Sequence, residues 1–269
     1  MQVFKLYLLT IILGVNSLCV AQAPQEKKTM MAIVAHPDDE THFSPLLAKY
    51  ADSHNVYLVI VTNGDMGVRD FANIPEGKKL KKVREKEAQA ACKCLGINPP
   101  VFMNYGDGKL SEWDNVYSLD EDIKALLDEY APNVIITMGP DGGYGHPDHR
   151  VVSNIVTEVF QNWELSNTSS LFYYTITQTI LDKTGDFKTP TGDFFKTNIH
   201  VMNPDFITHQ ISFSKEELKL GRAAFGCHES QFTPDEMDDI YQVVVKSDGI
   251  IYLRQWNGCD DNSKNDLFE

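Results

Sequence analysis

Basic side chains are scarce in this chain: its 269 residues hold 24 Lys and Arg against 38 Asp and Glu, a formal net charge of -14. Nucleic acids and anionic lipid surfaces need a positive face, so neither is an expected partner. Cysteine is sparse as well, with five in all. Cys92-Lys93-Cys94 is spaced too tightly for a zinc knuckle, and no second pair follows it. Cys92, Cys94, Cys227 and Cys259 could pair in an exported protein, but spacing alone assigns no bridge among them. Internal repeats and low-complexity blocks are absent, which excludes a repeat array. Beyond the N-terminus there is no long apolar run, so stable membrane insertion is not expected.

The N-terminus is of a different kind from the rest. Lys5 precedes the mostly apolar stretch Leu6 to Val15, and Cys19-Val20-Ala21 and Ala21-Gln22-Ala23 follow. A charged start, a short apolar stretch and small residues at a cleavage position describe a secretory signal peptide over residues 1–23, cut after Ala21 or Ala23. The apolar stretch falls short of the ~20 residues a membrane span needs. Leu18 stands before Cys19 where a lipoprotein signal has a small residue. The mature protein is therefore expected to be exported, periplasmic or extracellular. Losing Lys5 moves its formal charge from -14 to about -15.

With 42% hydrophobic residues and fourteen Phe, residues 24–269 suit a single domain with a real core. Apolar runs and helical patterns alternate through the first 175 residues. Strands are expected at Met30–Ala35, Asn55–Thr62, Val101–Tyr105, Asn133–Met138 and Leu171–Thr179, with helices at Ser44–Ser53, Lys79–Leu95, Leu119–Tyr130 and Pro147–Trp163. Regular alternation predicts an α/β, Rossmann-like three-layer fold, with a mainly parallel sheet and helices on both faces. After about residue 180 the rhythm breaks into a smaller, irregular, β-containing part. Lys183–Asn198 reads as a loop or insertion, and His200–Met202 as an edge strand. Lys215–Cys227 reads as a helix opened by Ser214 with Glu217 at capping-box spacing. The polar tail from Asn257 reads as frayed.

Two copies of a His-Pro-Asp tripeptide stand where strands should hand over to helices: His36-Pro37-Asp38-Asp39-Glu40 and His146-Pro147-Asp148-His149-Arg150. Ligands of open parallel sheets bind at the carboxyl ends of strands, at a switch of strand order. Proline suits the first helical position, which puts His36 and His146 at or near N-caps. Residues three apart share a helix face, pairing His36 with Asp39 and His146 with His149. That offers up to four ligands of the kind zinc prefers, and leaves Asp38 or Asp148 free to act as a base. His42, His54, His200 and His209 have no such company and read as structural or surface residues.

Ala35-His36-Pro37-Asp38-Asp39-Glu40 followed by Gly142-Gly143-Tyr144-Gly145-His146-Pro147-Asp148-His149 resembles the PIG-L (LmbE-like) family of zinc-dependent N-acetylglucosaminyl deacetylases. Thr62-Asn63-Gly64-Asp65, then Arg84, Glu87, Leu95 and Gly96, and finally Ala224 through His228-Glu229-Ser230-Gln231 extend the resemblance from about Met30 to Gln231. It implies that His36, Asp39 and His149 bind Zn²⁺. It also implies that Asp38 is the general base, that Tyr144 hydrogen-bonds the developing oxyanion, and that His146 is the general acid with Asp148 orienting its ring. Arg69 and His228 are candidate substrate or pocket residues. The expected substrate is a small molecule or glycan bearing an N-acetylated amino sugar. The sequence departs from the family after Glu40, where Thr41-His42-Phe43-Ser44-Pro45 replaces the pair of glycines many members carry.

Three rivals stand beside this reading. The same site could cleave another amide or acyl group, or the fold could serve as a carbohydrate-binding module without turnover. The acidic run Asp38-Asp39-Glu40 would also suit a hard-cation phosphoesterase. The presence of Asp38 and His146 argues for an enzyme, and two or three histidines argue for zinc over Mg²⁺.

Overall fold

A computed structural model describes residues 27–257 and 266–268. The expected leader and Cys259 lie outside these residues. Among them, seven strands form one mixed sheet in the order β3-β2-β1-β4-β5-β7-β6. The strands are β1 (Thr29–Val34), β2 (Asn55–Thr62), β3 (Val101–Tyr105), β4 (Val134–Met138), β5 (Ser170–Thr175), β6 (His209–Ser212) and β7 (Ile250–Gln255). Pairings from β3 through β5 are parallel, whereas β7 runs antiparallel to both β5 and β6.

Residues Met30 to Val34 of β1 are fully buried, as a strand covered on both faces requires. Alternate residues serve opposite layers. Met30, Ala32 and Val34 pack on one face with Leu46 and Leu47 of α1 (Ser44–Tyr50), Ala88 and Ala91 of α2 (Lys78–Leu95) and Ala224, which belongs to a later helix, Lys215–Phe225. Met31 and Ile33 face Leu119, Ile123 and Leu127 of α3 (Trp113–Tyr130) and Val152, Ile155 and Val156 of α4 (Pro147–Asn162). Each such buried aliphatic contributes on the order of 1.5–3 kcal/mol, so β1 is the axis of the core.

The three-layer expectation holds through β5, and the C-terminal part departs from it in detail. The stretch expected as a loop contains α6 (Pro190–Asn198), which follows the short α5 (Gln178–Lys183). Thr189 caps α6 by accepting the Gly192 N–H, and Pro190 occupies its first turn. The Gly, Thr and Asp content hid these local start signals. His200–Met202 is not a strand; the edge is β6, nine residues further along. The helix opened by Ser214 is α7 (Lys215–Phe225), with both halves of the capping box formed. The last helix, α8 (Pro234–Val245), has a second capping box from Thr233 and Glu236. Of the tail expected to fray, residues 258–265 and 269 lie outside the described residues, while Leu267 is buried and Phe268 stacks on His54 at 4.0 Å between ring centroids. No helix among the described residues is long and apolar enough to cross a membrane.

Strand order decides where the two motifs meet. From β1 the chain moves outward to β2 and β3, then returns to place β4 on the other flank of β1. The switch point therefore lies between β1 and β4, and both His-Pro-Asp motifs follow the carboxyl ends of these strands.

Candidate active site

Three side chains converge at this switch point. His36 Nδ1 lies 3.1 Å from His149 Nε2 and 3.5 Å from Asp39 Oδ2, and His149 Nε2 lies 3.0 Å from Asp39 Oδ1. Ligands about 2.0–2.1 Å from one tetrahedral cation are roughly 3.3–3.4 Å apart, so the spacing fits a single small metal ion. The carboxylate and both imidazoles are buried. Their supports fix which atoms face inward. His149 Nδ1 lies 3.1 Å from the Gly142 carbonyl, which places its ring proton there and leaves the Nε2 lone pair facing His36 and Asp39. Asp39 Oδ2 accepts the His36 backbone N–H at 2.7 Å. Gly142 sits at φ +73, and a Cβ there would stand 2.8 Å from the His146 carbonyl oxygen, so the loop that presents this carbonyl needs glycine.

Behind His36, Nε2 meets Asp107 Oδ1 at 3.2 Å and Asp148 Oδ2 at 3.3 Å. His36, Asp107 and Asp148 are themselves close enough to hold an ion, as are His36, His146 and His149. The two carboxylates are already engaged: Asp148 Oδ2 accepts the Gly108 N–H at 2.7 Å, and Asp107 Oδ2 accepts the Met66 N–H at 3.3 Å. Both carboxylates thereby fix the orientation of the His36 ring and of its Nε2. Burial opposes protonation of His36, but Asp107, Asp148 and Asp39 outweigh it and hold its pKa well above 6.5. Burial would raise Asp39, yet His149 and His36 hold it well below the usual carboxylate range.

Asp148 thus departs from its expected role. Its carboxylate points to His36 and not to His146; only its backbone N–H reaches His146, donating to Nδ1 at 3.2 Å. The cause is helix geometry. His146 is the N-cap of α4, so its ring takes an orphan N–H of the first turn while the Asp148 side chain leans toward β1. The His146 ring stands edge-on to His36, with centroids 4.7 Å apart.

The first motif also differs from expectation. Pro37 does not open an α-helix; residues Asp39–Phe43 form a 3-10 turn with Asp38 before it at φ +108. An aspartate in that conformation costs on the order of 1–3 kcal/mol and persists only where its surroundings over-determine it. Here the Asp38 N–H donates to Glu40 Oε2 at 3.1 Å, and its Oδ2 accepts from Arg84 at 2.8 Å. Arg84 also donates to the carbonyls of Pro37 and Gly64, and Gly64 leaves the guanidinium room that a Cβ would fill. Burial pushes the Asp38 pKa up to about 6 against the pull of Arg84.

Glu40 is fully buried, and its Oε1 meets His228 Nε2 at 2.7 Å. His228 is therefore a support two steps behind Asp38 and not a pocket wall. Arg69 does line the cavity, but it is ion-paired with Glu236 of α8 and donates to Thr191 of α6 at 3.3 Å. Tyr144 lines it too; burial raises its pKa above the ordinary 10, so it remains an O–H donor. The cavity itself measures about 600 Å³ and opens over His36, Asp38, Asp39 and His146. Phe194 and Phe195 of α6 wall it, as does His42. Asp107 and His42 are not candidate site residues on sequence alone, and Glu40 is one only as part of the acidic run Asp38-Asp39-Glu40. Only Tyr105-Gly106-Asp107-Gly108, a turn after a strand end, held a signal for the first of them.

Fold and cluster together describe an α/β protein with His36, Asp39 and His149 gathered at its topological switch point. Residues 31–160 match the family model described as PIG-L, GlcNAc-PI de-N-acetylase. The 1D-myo-inositol 2-acetamido-2-deoxy-alpha-D-glucopyranoside deacetylase of Mycobacteroides abscessus is 29% identical over 181 residues, covering 59% of this chain and 63% of that protein. Its counterpart in Rhodococcus jostii is 30% identical over 153 residues, covering 49% and 52%. The chain thus spans about half to three-fifths of these relatives. Among solved structures, the N,N'-diacetylchitobiose deacetylase from Pyrococcus horikoshii superposes with a TM-score of 0.64 at 19% identity, covering 85% of this chain and 83% of that one. A 4-carboxy-2-hydroxymuconate hydratase from Pseudomonas putida superposes with a TM-score of 0.62 at 13% identity, covering 88% and 99%. A shared fold therefore does not fix the reaction, and the site has to carry that argument.

Proposed function

We propose that this protein is a zinc-dependent hydrolase that removes the N-acetyl group from an N-acetylated amino sugar or glycoconjugate, releasing acetate and a free amine. The observation that carries the proposal is the convergence of His36 Nδ1, Asp39 and His149 Nε2 within 3.0–3.5 Å, with His36, Asp38 and Asp39 lining the cavity and His149 buried behind them. The named activities of the M. abscessus and P. horikoshii proteins lend it support. His36, Asp39 and His149 would hold the zinc, leaving a coordination position for the reaction. When bound, zinc would supply Lewis acidity, polarising the amide carbonyl and making water acidic enough to ionise near neutral pH.

The protein groups have separable tasks. Asp38 accepts the proton of the attacking water, through Oδ1 because Arg84 occupies Oδ2. Tyr144 donates its O–H to the oxyanion that forms on the amide. His146 passes a proton to the departing amine from Nε2, since Nδ1 is engaged by the Asp148 N–H. Burial, then the imidazoles of His36 and His149, lower the His146 pKa, so the protonated ring is a ready acid. Arg69, already neutralised by Glu236, would shape the cavity wall more than bind a charged substituent. Export belongs to the same proposal and is supported by the charge, apolar and small-residue order of residues 1–23.

The test is acetate release from a panel of N-acetyl sugars and cell-wall fragments, followed by mass spectrometry of the products. Chelation should abolish release and zinc should restore it. Full zinc occupancy with no acetate from any member of the panel would sink the proposal. N-terminal sequencing of the secreted form tests cleavage after Ala21 or Ala23.

A further inference from the structure

Cys94 sits in the last turn of α2 and Cys227 directly after α7, and their Sγ atoms are 3.7 Å apart. Both side chains are partly exposed. We propose that Cys94 and Cys227 are a disulfide-forming pair which, once oxidised, ties α2 covalently to the segment that runs from α7 into His228. A disulfide needs its sulfurs about 2.05 Å apart, so the gap to close is under ~2 Å, within reach of a side-chain rotation. The two backbones are already held side by side. Ser230 donates from both its N and its Oγ to the Glu87 carboxylate, at 2.7 Å each, and Glu87 lies two turns before Cys94 on α2. Cys92 does not compete: two positions apart on a helix is roughly 200°, and Cys92 points into the core.

The reaction is thiol–disulfide exchange with an oxidant of the disulfide class, such as oxidised glutathione or a disulfide oxidoreductase. One thiolate attacks a sulfur of the oxidant and expels a thiolate, forming a mixed disulfide. The second cysteine thiolate then displaces the remaining half. Two electrons pass from the protein to the oxidant, and the two protons end on the two thiols released. The bond joins the two supports of Asp38. Helix α2 carries Arg84, which holds the Asp38 carboxylate, and the tethered segment carries His228, which holds Glu40 and through it the Asp38 N–H.

To test this, the full folded chain is equilibrated in a glutathione redox buffer, free thiols are alkylated, and the unreduced protein is digested with trypsin for mass spectrometry. Cleavage after Lys93 separates Cys92 from Cys94. The expected result is one linked pair of peptides containing Cys94 and Cys227, with Cys92 alkylated. Thermal melting should rise by about 5–15 °C in the oxidised form, because the bond closes a long loop. Cys94→Ser and Cys227→Ser should each abolish that rise while leaving the reduced melting temperature within a few degrees. Linkage of either cysteine to Cys259, or full alkylation of Cys94 and Cys227 under oxidising conditions, overturns the proposal.

Discussion

Replacing His228 with Ala should destabilise this protein more than any loss of packing volume explains. His228 and Glu40 are both fully buried, and they meet through the 2.7 Å Nε2 to Oε1 pair. Burial acts to lower the His228 pKa, but the charge and hydrogen bond of Glu40 outweigh it, so the ring is held above 6.5 and pairs as a cation. Removing one partner of a buried pair strands the other charge and costs about 3–5 kcal/mol. For a domain of this size that is a fall in Tm of roughly 6–20 °C. Urea unfolding at matched metal content measures it, and Glu40→Gln completes a double-mutant cycle in which the two losses should fall short of additivity by about 1–3 kcal/mol. The pH dependence has a definite sign. A raised folded-state pKa on histidine gives stability that is full below the ordinary 6.5 and is lost as pH climbs through the raised value, so the gap between wild type and variant should narrow with rising pH. A loss below 1 kcal/mol at pH 6.5, strict additivity, or a gap that widens with pH would refute the reasoning.

Asp38→Asn should leave zinc content unchanged while kcat falls about 10²–10⁴-fold, as expected for a lost general base; metal loss measured by mass spectrometry would contradict this. Asp148→Asn should weaken zinc affinity about 10–100-fold in competition with a chelator, because Asp148 supports His36; a drop in kcat at constant affinity would return it to His146. His42→Ala should join the main cavity to two smaller ones of about 30 and 10 Å³ that share His42 as a wall. The ratio of kcat/KM for N-butyryl over N-acetyl glucosamine should then rise, and an unchanged ratio would show that His42 does not limit the acyl group.

The parallel half of the fold was legible because each of its strands is a short apolar run and each helix repeats its apolar residues at helical spacing. Where α3 begins, the periodicity fails: Trp113 and Tyr117 are exposed, so only the part from Leu119 onward shows an apolar stripe. Helix α6 was hidden for a related reason. Its exposed Phe194 is turned to the cavity and not to the core, and a helix that lines a pocket has no apolar stripe to read. The strand order that ends in β7 and β6 depends on long-range pairing, which no local pattern encodes.

The donor residues that converge at the site were legible in sequence, and their supports were not. Chemical type and spacing offer His36, Asp39, His146 and His149 together, and the family resemblance selects three of them, but what a carboxylate supports depends on which chain segment lies against it. Asp148 stands two positions from His146 in sequence, and spacing alone makes that histidine its natural partner. Parallel pairing of β1 with β4, in the register Met30 to Val134, brings His36 to the same edge, and there its Nε2 takes the Asp148 carboxylate. Glu40 poses the same problem in reverse: it looks like one more acid in an acidic run, yet its two oxygens face a backbone N–H and a histidine 188 positions away. Short motifs thus identify donors, whereas topology decides whom they serve. The donors His36, Asp39 and His149 can therefore be named from sequence, whereas the contacts of Asp107, Asp148 and Glu40 are a property of the sheet.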